Sequence, residues 1–480
     1  MIIDCFTGET LSFQIFNFLH YIMKRKIKRV LLLLLAAALI YGIYYCYTSF
    51  PIISGYGAKN LCSCVFVGGR TQASVQNEEL ADFPLSLGKF TVDFKDSSVT
   101  GTVFGFAKQK AIYRKGLGCT LVNEISEEEL RKQNFMRPEP PIIKTDTIAW
   151  PYGERVSDSM PQNISKEKLT KAMDDAFADD VPDYKKVTRA VVVLYDGNLI
   201  AEKYAPGFNK NSKMLGWSMT KSITSTLIAM LVKEGKLDIN KPAPVAEWRS
   251  STDERHAITI KNLLQQSSGL DFVEDYSKSS DATKMLFQRK DMAAYTASRP
   301  LKDKPGSVFY YSSGNSNILS RIIRQTLGDK EYYNFIYDSL FYKLGMYSAL
   351  QEPDGSGTIV GSSYTWATAR DWARFGLLFY NNGIWNNESL LPDDWVKEAT
   401  TPATSSIQKE YGYQWWLNGV QANNPSHRLF PDVPADMFRA SGYGGQGVYI
   451  IPSKKLVIVR LGLHDIDDNV LLKEFIEAVD

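Results

Sequence analysis

Eighteen consecutive uncharged residues, Val30–Tyr47 (VLLLLLAAALIYGIYYCY), constrain the chain more than any other stretch. A run of that length sits at the lower limit for crossing a bilayer as a helix, where the backbone polar groups are satisfied within the segment. Five successive leucines leave no polar face, so a helix buried in a soluble core is a poor alternative. Lys24, Arg25, Lys26, Lys28 and Arg29 precede the run and are expected to stay cytoplasmic. A cleaved signal peptide competes with this reading. The small residues Ala36–Ala38, however, lie inside the run rather than after it, and Tyr41–Tyr47 has the composition of an interfacial belt. An uncleaved anchor is therefore expected, with the remainder extracytoplasmic, on the periplasmic or extracellular side. Cys46 follows Tyr45 rather than a small residue, which argues against lipid modification. Residues 1–22 hold Asp4 and Glu9 but no Lys or Arg, and a start at Met23 would give a more ordinary signal.

Taken over the whole chain, the composition is that of a folded protein. Lys and Arg number 55 against 53 Asp and Glu, a net charge of +2. No dense cationic face is available for nucleic acid, so no nucleic-acid partner is expected. With 12% aromatic residues, general disorder is also excluded. Five Cys and four His are too few for a disulfide scaffold or zinc ribbon, and neither a metal nor another cofactor is expected. In an exported protein, one bridge from Cys62 or Cys64 to Cys119 is plausible, leaving an odd thiol; small buried side chains are the alternative.

Three regions are expected: residues 1–50 for the stub and anchor or signal, 51–186 for a β-rich extension, and 187–480 for the main domain. Within the extension, Phe90–Phe94, Val99–Phe106 and Ala111–Leu121 read as strands. Residues 136–152 are proline-rich and read as an extended crossing segment. A short helix follows over Lys166–Ala178, capped by Ser165. The main domain opens with strands Ala190–Tyr195 and Leu199–Tyr204, joined by the tight turn Asp196-Gly197-Asn198. It closes with strands Val448–Ile451 and Leu456–Leu463 and a helix near Val470–Val479. Strands at both ends with helices between predict an α+β domain: one antiparallel sheet built from both ends, with a helical subdomain on it.

The chemistry centres on Ser218-Met219-Thr220-Lys221, which starts a helix predicted to run through Lys233. Three residues make most of a turn, so Ser218 and Lys221 share a face. A helix N-terminus stabilises a charged tetrahedral intermediate. A lysine held there out of water gives up its proton readily and can serve as base for the serine. Ser-x-x-Lys occurs four times, also at Ser86/Lys89, Ser165/Lys168 and Ser406/Lys409. Only the Ser218 copy precedes a strongly apolar helix (SITSTLIAMLV) that could seat it in a core.

Two further segments accompany it: Lys304–Asn315, with a Tyr-x-Ser element, and Phe438–Gly445 ahead of the final hairpin. With Ile260–Leu270, Ala367–Leu378 and Tyr411–Trp416, these resemble the serine β-lactamase and penicillin-binding family over about residues 187–480. The class C-related branch, which includes carboxylesterases and 6-aminohexanoate-dimer hydrolase, is the most similar. The resemblance implies a β-lactamase/transpeptidase-like fold with Ser218 as nucleophile, Lys221 as its base and Tyr311 sharing proton transfer. It implies an oxyanion hole from the backbone N–H groups of Ser218 and Tyr443, and a substrate pocket near Trp217, Ser313, Ser441 and Gly442. Two departures stand out. Ser313 replaces the usual Asn of Tyr-x-Asn. Ala440-Ser441-Gly442 replaces Lys-Thr-Gly, removing a cation that seats the substrate carboxylate of penicillins and acyl-D-Ala-D-Ala peptides. Arg439 lies on the opposite face of a regular strand and is a poor substitute.

The expectation is a membrane-anchored serine hydrolase of a small ester, amide or peptide, with esterase or amidase favoured over efficient β-lactamase. The alternatives are a D-alanyl-D-alanine carboxypeptidase and a non-catalytic peptide- or cell-wall-binding module. A neutral Lys221 predicts activity falling below about pH 6–7. Gly442–Gly447 matches G-x-G-x-x-G but is followed by a strand, so a dinucleotide site is rejected. Gly216-Trp217-Ser218 lacks the second glycine of a nucleophile elbow. His256, His427 and His464 have no recognisable catalytic setting.

Overall fold

The computed structural model describes residues 8–179 and 186–479, with side chains from residue 13. Asp4 lies outside the described residues. Helix α1 (Gly8–Phe66) is 59 residues long and continues through Pro51. Its apolar window has a mean hydropathy of 2.1 and is entirely exposed, as a helix long and apolar enough to cross a membrane would be. Beyond residue 50 its character changes: Ile53, Ser54, Ala58, Lys59, Leu61 and Cys62 are buried. The helix therefore runs without a break from the apolar run into the folded body.

There it packs against an antiparallel sheet of β1 (Gly88–Asp93), β2 (Ser98–Val103), β3 (Phe106–Arg114) and β4 (Gly118–Leu121), in that order. The sequence predicts three strands here. The structure divides Ala111–Leu121 at Gly116, and begins a new strand at Phe106, after Gly105; both glycines have positive φ. Helix and sheet meet closely, since a Cβ on Gly57 would fall 2.0 Å from the Phe90 ring. The Cys62–Cys119 disulfide joins α1 to β4, and Cys64 is the buried free thiol.

Helix α2 (Lys166–Asp175) is capped by Ser165, whose hydroxyl accepts from the Lys168 N–H. The main sheet opens with β5 (Thr188–Tyr195) and β6 (Asn198–Tyr204). Their turn puts Asp196 and Gly197 at φ 48° and 79°, both in the left-handed region, as a two-residue hairpin turn of the primed kind needs. Helices α3 (Thr220–Lys233), α4 (Ser313–Leu327) and α5 (Ala369–Tyr380) follow. The chain then returns to the sheet as β7 (Trp416–Leu417), β8 (Phe438–Gly442), β9 (Gln446–Ile451) and β10 (Leu456–Gly462), and ends in α6 (Asp468–Glu477). The spatial order is β7-β8-β9-β10-β5-β6, antiparallel throughout. This is the predicted α+β architecture, with one sheet drawn from both ends of the domain.

Side-chain alternation divides the core. Ala190, Val192 and Leu194 of β5 face the helical subdomain with Val448, Ile450, Val457 and Val459. Val191 and Val193 face the other way, with Tyr449 and Ile458, onto α2 and α6. Both faces are covered, which explains why β5 and β10 read as nearly continuous apolar runs. A third cluster joins α1 and β1–β4 to the helical subdomain through Phe287, Tyr364 and Trp366.

Candidate active site

Ser218 occupies a short 3₁₀ turn, Trp217–Met219, directly before α3. The turn is pinned from below: the Gly216 N–H donates to Thr365 O at 2.8 Å, and the Thr365 N–H donates to the Thr220 hydroxyl at 3.1 Å. Trp217 has φ +47°, a conformation that costs about 1 kcal/mol or more for a residue with a side chain. Aromatic contacts hold it there. Its ring stacks on Tyr56 at 6.2 Å and meets Tyr443 edge-on at 5.7 Å.

Lys221, one turn further on, is 1% exposed. Its Nζ lies 3.0 Å from Ser218 Oγ, 3.1 Å from Ser313 Oγ and 3.1 Å from the Ser362 carbonyl oxygen. Burial lowers its pKa to about 8, against the opposing pull of the Glu274 carboxylate. Tyr311 reaches the same spot from two residues before α4, with its ring centroid 4.7 Å from Lys221 Nζ. Trp416 and Tyr411 flank that ring at 5.2 and 5.9 Å. Burial pushes the Tyr311 phenol well above its ordinary range, and a hydrogen-bonding interaction with Ser218 works the other way.

The sequence singles out neither Glu274 nor Tyr276, yet both belong to this cluster. Glu274 accepts from the Ser313 N–H at 2.9 Å and from the Ser313 hydroxyl at 2.6 Å. The Tyr276 hydroxyl donates to Glu274 at 2.6 Å and lies 2.9 Å from Ser313 Oγ. Ser313 itself is fully buried. It links Lys221 to Glu274 rather than lining open space. The departure from Asn was the available signal: a shortened side chain beside a lysine leaves room for a longer one from another loop.

Strand β8 runs against the serine turn. A Cβ on Gly442 would lie 2.2 Å from Gly216 O, so the approach requires glycine. β7 pairs only with Phe438 and Arg439, leaving the Ala440–Gly442 side of β8 unpaired where it faces Ser218. Arg439 points away as expected, ion-paired with Asp468 and packed on the Phe430 ring at 4.8 Å. Trp217, Ser218 and Tyr443 line a cleft of about 300 Å³. Ser441 is partly exposed on β8, paired with Gly447. His464 also lines the cleft, whereas His256 and His427 are exposed elsewhere. Of the other Ser-x-x-Lys pairs, Ser165 caps α2 and Ser406 is bonded to Glu410 at 2.6 Å.

The Beta-lactamase family model matches residues 171–463, well over half of the chain. The chain belongs to the beta-lactamase family. It is a serine hydrolase of that family. The 6-aminohexanoate-dimer hydrolase of Paenarthrobacter ureafaciens is 24% identical over 316 residues, 60% of this chain and 76% of the relative. A Bacillus anthracis structure assigned as a 6-aminohexanoate-dimer hydrolase superposes with a TM-score of 0.54 at 22% identity, over 72% of this chain and 88% of the other. A penicillin-binding protein homologue from Caulobacter crescentus gives 0.51 at 16% identity, over 68% and 98%. These superpositions establish the beta-lactamase/transpeptidase-like fold for the main domain. α1 and the β1–β4 sheet precede the matched residues.

Proposed function

We propose that the protein is a membrane-anchored hydrolase that forms an acyl-enzyme on Ser218 from an ester or amide. The observation that carries this reading is the environment of Lys221 Nζ. A neutral amine has two N–H donors and one lone pair. The Ser362 carbonyl can only accept, and the Ser313 hydroxyl proton is already engaged by Glu274. Both N–H groups are thereby used, and the lone pair is left for the Ser218 proton 3.0 Å away.

Ser218 Oγ attacks the carbonyl while its proton passes to Lys221. The oxyanion is held by the backbone N–H groups of Ser218 and Tyr443, brought together where Gly442 meets Gly216. Tyr311, kept as a phenol by burial, passes a proton to the leaving group, is reprotonated from Lys221, and helps activate the water that cleaves the acyl-enzyme. Ala440 offers no cation where the family's triplet carries lysine, which disfavours carboxylate substrates such as penicillins and D-Ala-D-Ala peptides, and so favours an esterase or amidase. α1 anchors the protein, with the Lys24–Arg29 cluster cytoplasmic and the catalytic body on the opposite side.

Intact-mass analysis with a fluorophosphonate tests this directly. The wild-type chain is expected to gain one adduct and Ser218→Ala none. Equal labelling of both would remove Ser218 as nucleophile. No labelling, with no turnover of esters, amides or D-Ala-D-Ala peptides, would favour a binding module.

A further inference from the structure

Three observations bear on what reaches Ser218. First, α1 does not leave the body after its apolar run: Tyr45, Ser49, Ile52, Ile53 and Tyr56 form one wall of the Ser218 cleft. Their spacing places them on a single helical face. That face covers about 16 Å at 1.5 Å per residue, from within the apolar run to Tyr56, which stacks on Trp217 beside the nucleophile. Second, Phe83, Pro84, Leu85, Leu286 and Phe287 add further apolar lining, beside the charged side chains of Glu78, Glu79, Asp82 and Lys278. Third, the body carries exposed aromatic side chains around the emerging helix. Phe83, Phe104 and Phe106 are 79%, 66% and 69% exposed. Phe104 contacts Phe50 of α1 at 5.9 Å. Phe106 and Lys108 border a groove whose other side is Ala38, Leu39, Gly42 and Ile43 of the apolar run. Aromatic side chains with a lysine at that height suit a headgroup boundary.

We infer that the substrate is a membrane-resident amphiphile, an acyl ester or amide whose hydrocarbon chain lies along α1 in the cleft while its carbonyl reaches Ser218. This rests on Ser218 being the nucleophile. Ser218 Oγ bonds to the acyl carbon and the bond to the head-group oxygen or nitrogen breaks. The head group leaves with a proton from Tyr311, which does not line the cleft. Water then cleaves the acyl–Ser218 ester and a free fatty acid returns to the bilayer. The cleft's position supplies selectivity, because each buried methylene strengthens binding by about fourfold.

The test uses the full chain in phosphatidylcholine nanodiscs with p-nitrophenyl esters from acetyl to palmitoyl. kcat/KM is expected to rise at least about tenfold from acetyl to the long chains. Palmitoyl ester in the enzyme's own disc should turn over at least about tenfold faster than the same ester supplied in separate discs. Ile53→Trp, which fills the cleft beside α1, should cut the long-to-short ratio at least about tenfold. A flat chain-length profile, equal rates from the two sources, or an unchanged ratio in a folded Ile53→Trp protein would overturn the inference. The wild-type measurements stand even if the variant does not fold. Ser218-dependent acetyl ester turnover without chain preference would leave the acyl-enzyme reading intact. Loss of turnover on every ester would overturn both.

Discussion

Lys221 is held where its positive charge is disfavoured. Burial disfavours its charged form and brings its pKa to about 8, while Glu274 pulls the value up. If the neutral amine is the base, kcat/KM on a neutral ester rises with pH as Lys221 loses its proton, with the limb near pH 8. The sequence-based expectation of a fall only below about pH 6–7 is thus moved upward, because the carboxylate that raises the pKa comes from a loop the motif does not include. Glu274→Gln removes that charge and keeps a hydrogen-bonding side chain. The limb should then move to lower pH, whereas a merely structural role would lower the rate at every pH and leave the limb in place. A pH–rate profile of the two proteins, following kcat/KM from pH 5 to 10, separates the outcomes. The Ser218–Lys221 pair and Tyr311 were legible as a motif; Glu274 and Tyr276 were not, because their loop carries no periodicity or motif that marks it.

Among the elements, β8 and the serine turn fit closely. The short residues Ala440, Ser441 and Gly442 let the strand lie against Gly216, and the Gly442 position tolerates no side chain at its present separation. Gly442→Ala must push β8 away from the turn and with it the Tyr443 N–H. The expected result is a loss of about 10²–10³ in kcat/KM, the range seen when an oxyanion donor is displaced, in a protein that still folds. Steady-state ester hydrolysis measures it, and a loss under about threefold would show that the strand does not set the oxyanion geometry. At this scale the sequence located four of the six main-sheet strands closely, β5, β6, β9 and β10, since their apolar runs and turn residues are local signals. It joined two strands of the extension into one, since a glycine turn inside an apolar run resembles a bulge.

For the whole molecule, Glu352 is the joint. It is fully buried, pairs with Lys59 at 2.5 Å, and accepts from Ser63 at 2.8 Å, the Cys119 N–H at 2.6 Å and the Trp366 indole at 3.0 Å. One carboxylate thus ties α1, the β1–β4 sheet and the main domain together. Glu352→Ala leaves Lys59 buried without its partner and should destabilise the detergent-solubilised chain by about 3–5 kcal/mol. Adding Lys59→Met should restore part of that loss, because the unpaired charge goes with it. Denaturant unfolding of the three proteins decides the point; a single-variant loss below about 1 kcal/mol would mean that Glu352 does not hold the units together. The same joint fixes the mouth of the Ser218 cleft relative to the apolar run of α1.

The sequence alone determined the apolar helix, the sheet drawn from both ends, the family resemblance and the serine–lysine pair. All of these depend on residues near one another in the chain, on period-two or helical patterning, or on short motifs. Only the tertiary structure decided that α1 continues into the body and walls the cleft, that Glu274 and Tyr276 stand behind Lys221, and that Cys62 rather than Cys64 bonds Cys119. Each of these joins residues dozens to hundreds of positions apart, and such contacts are set by how elements pack, which no local pattern records.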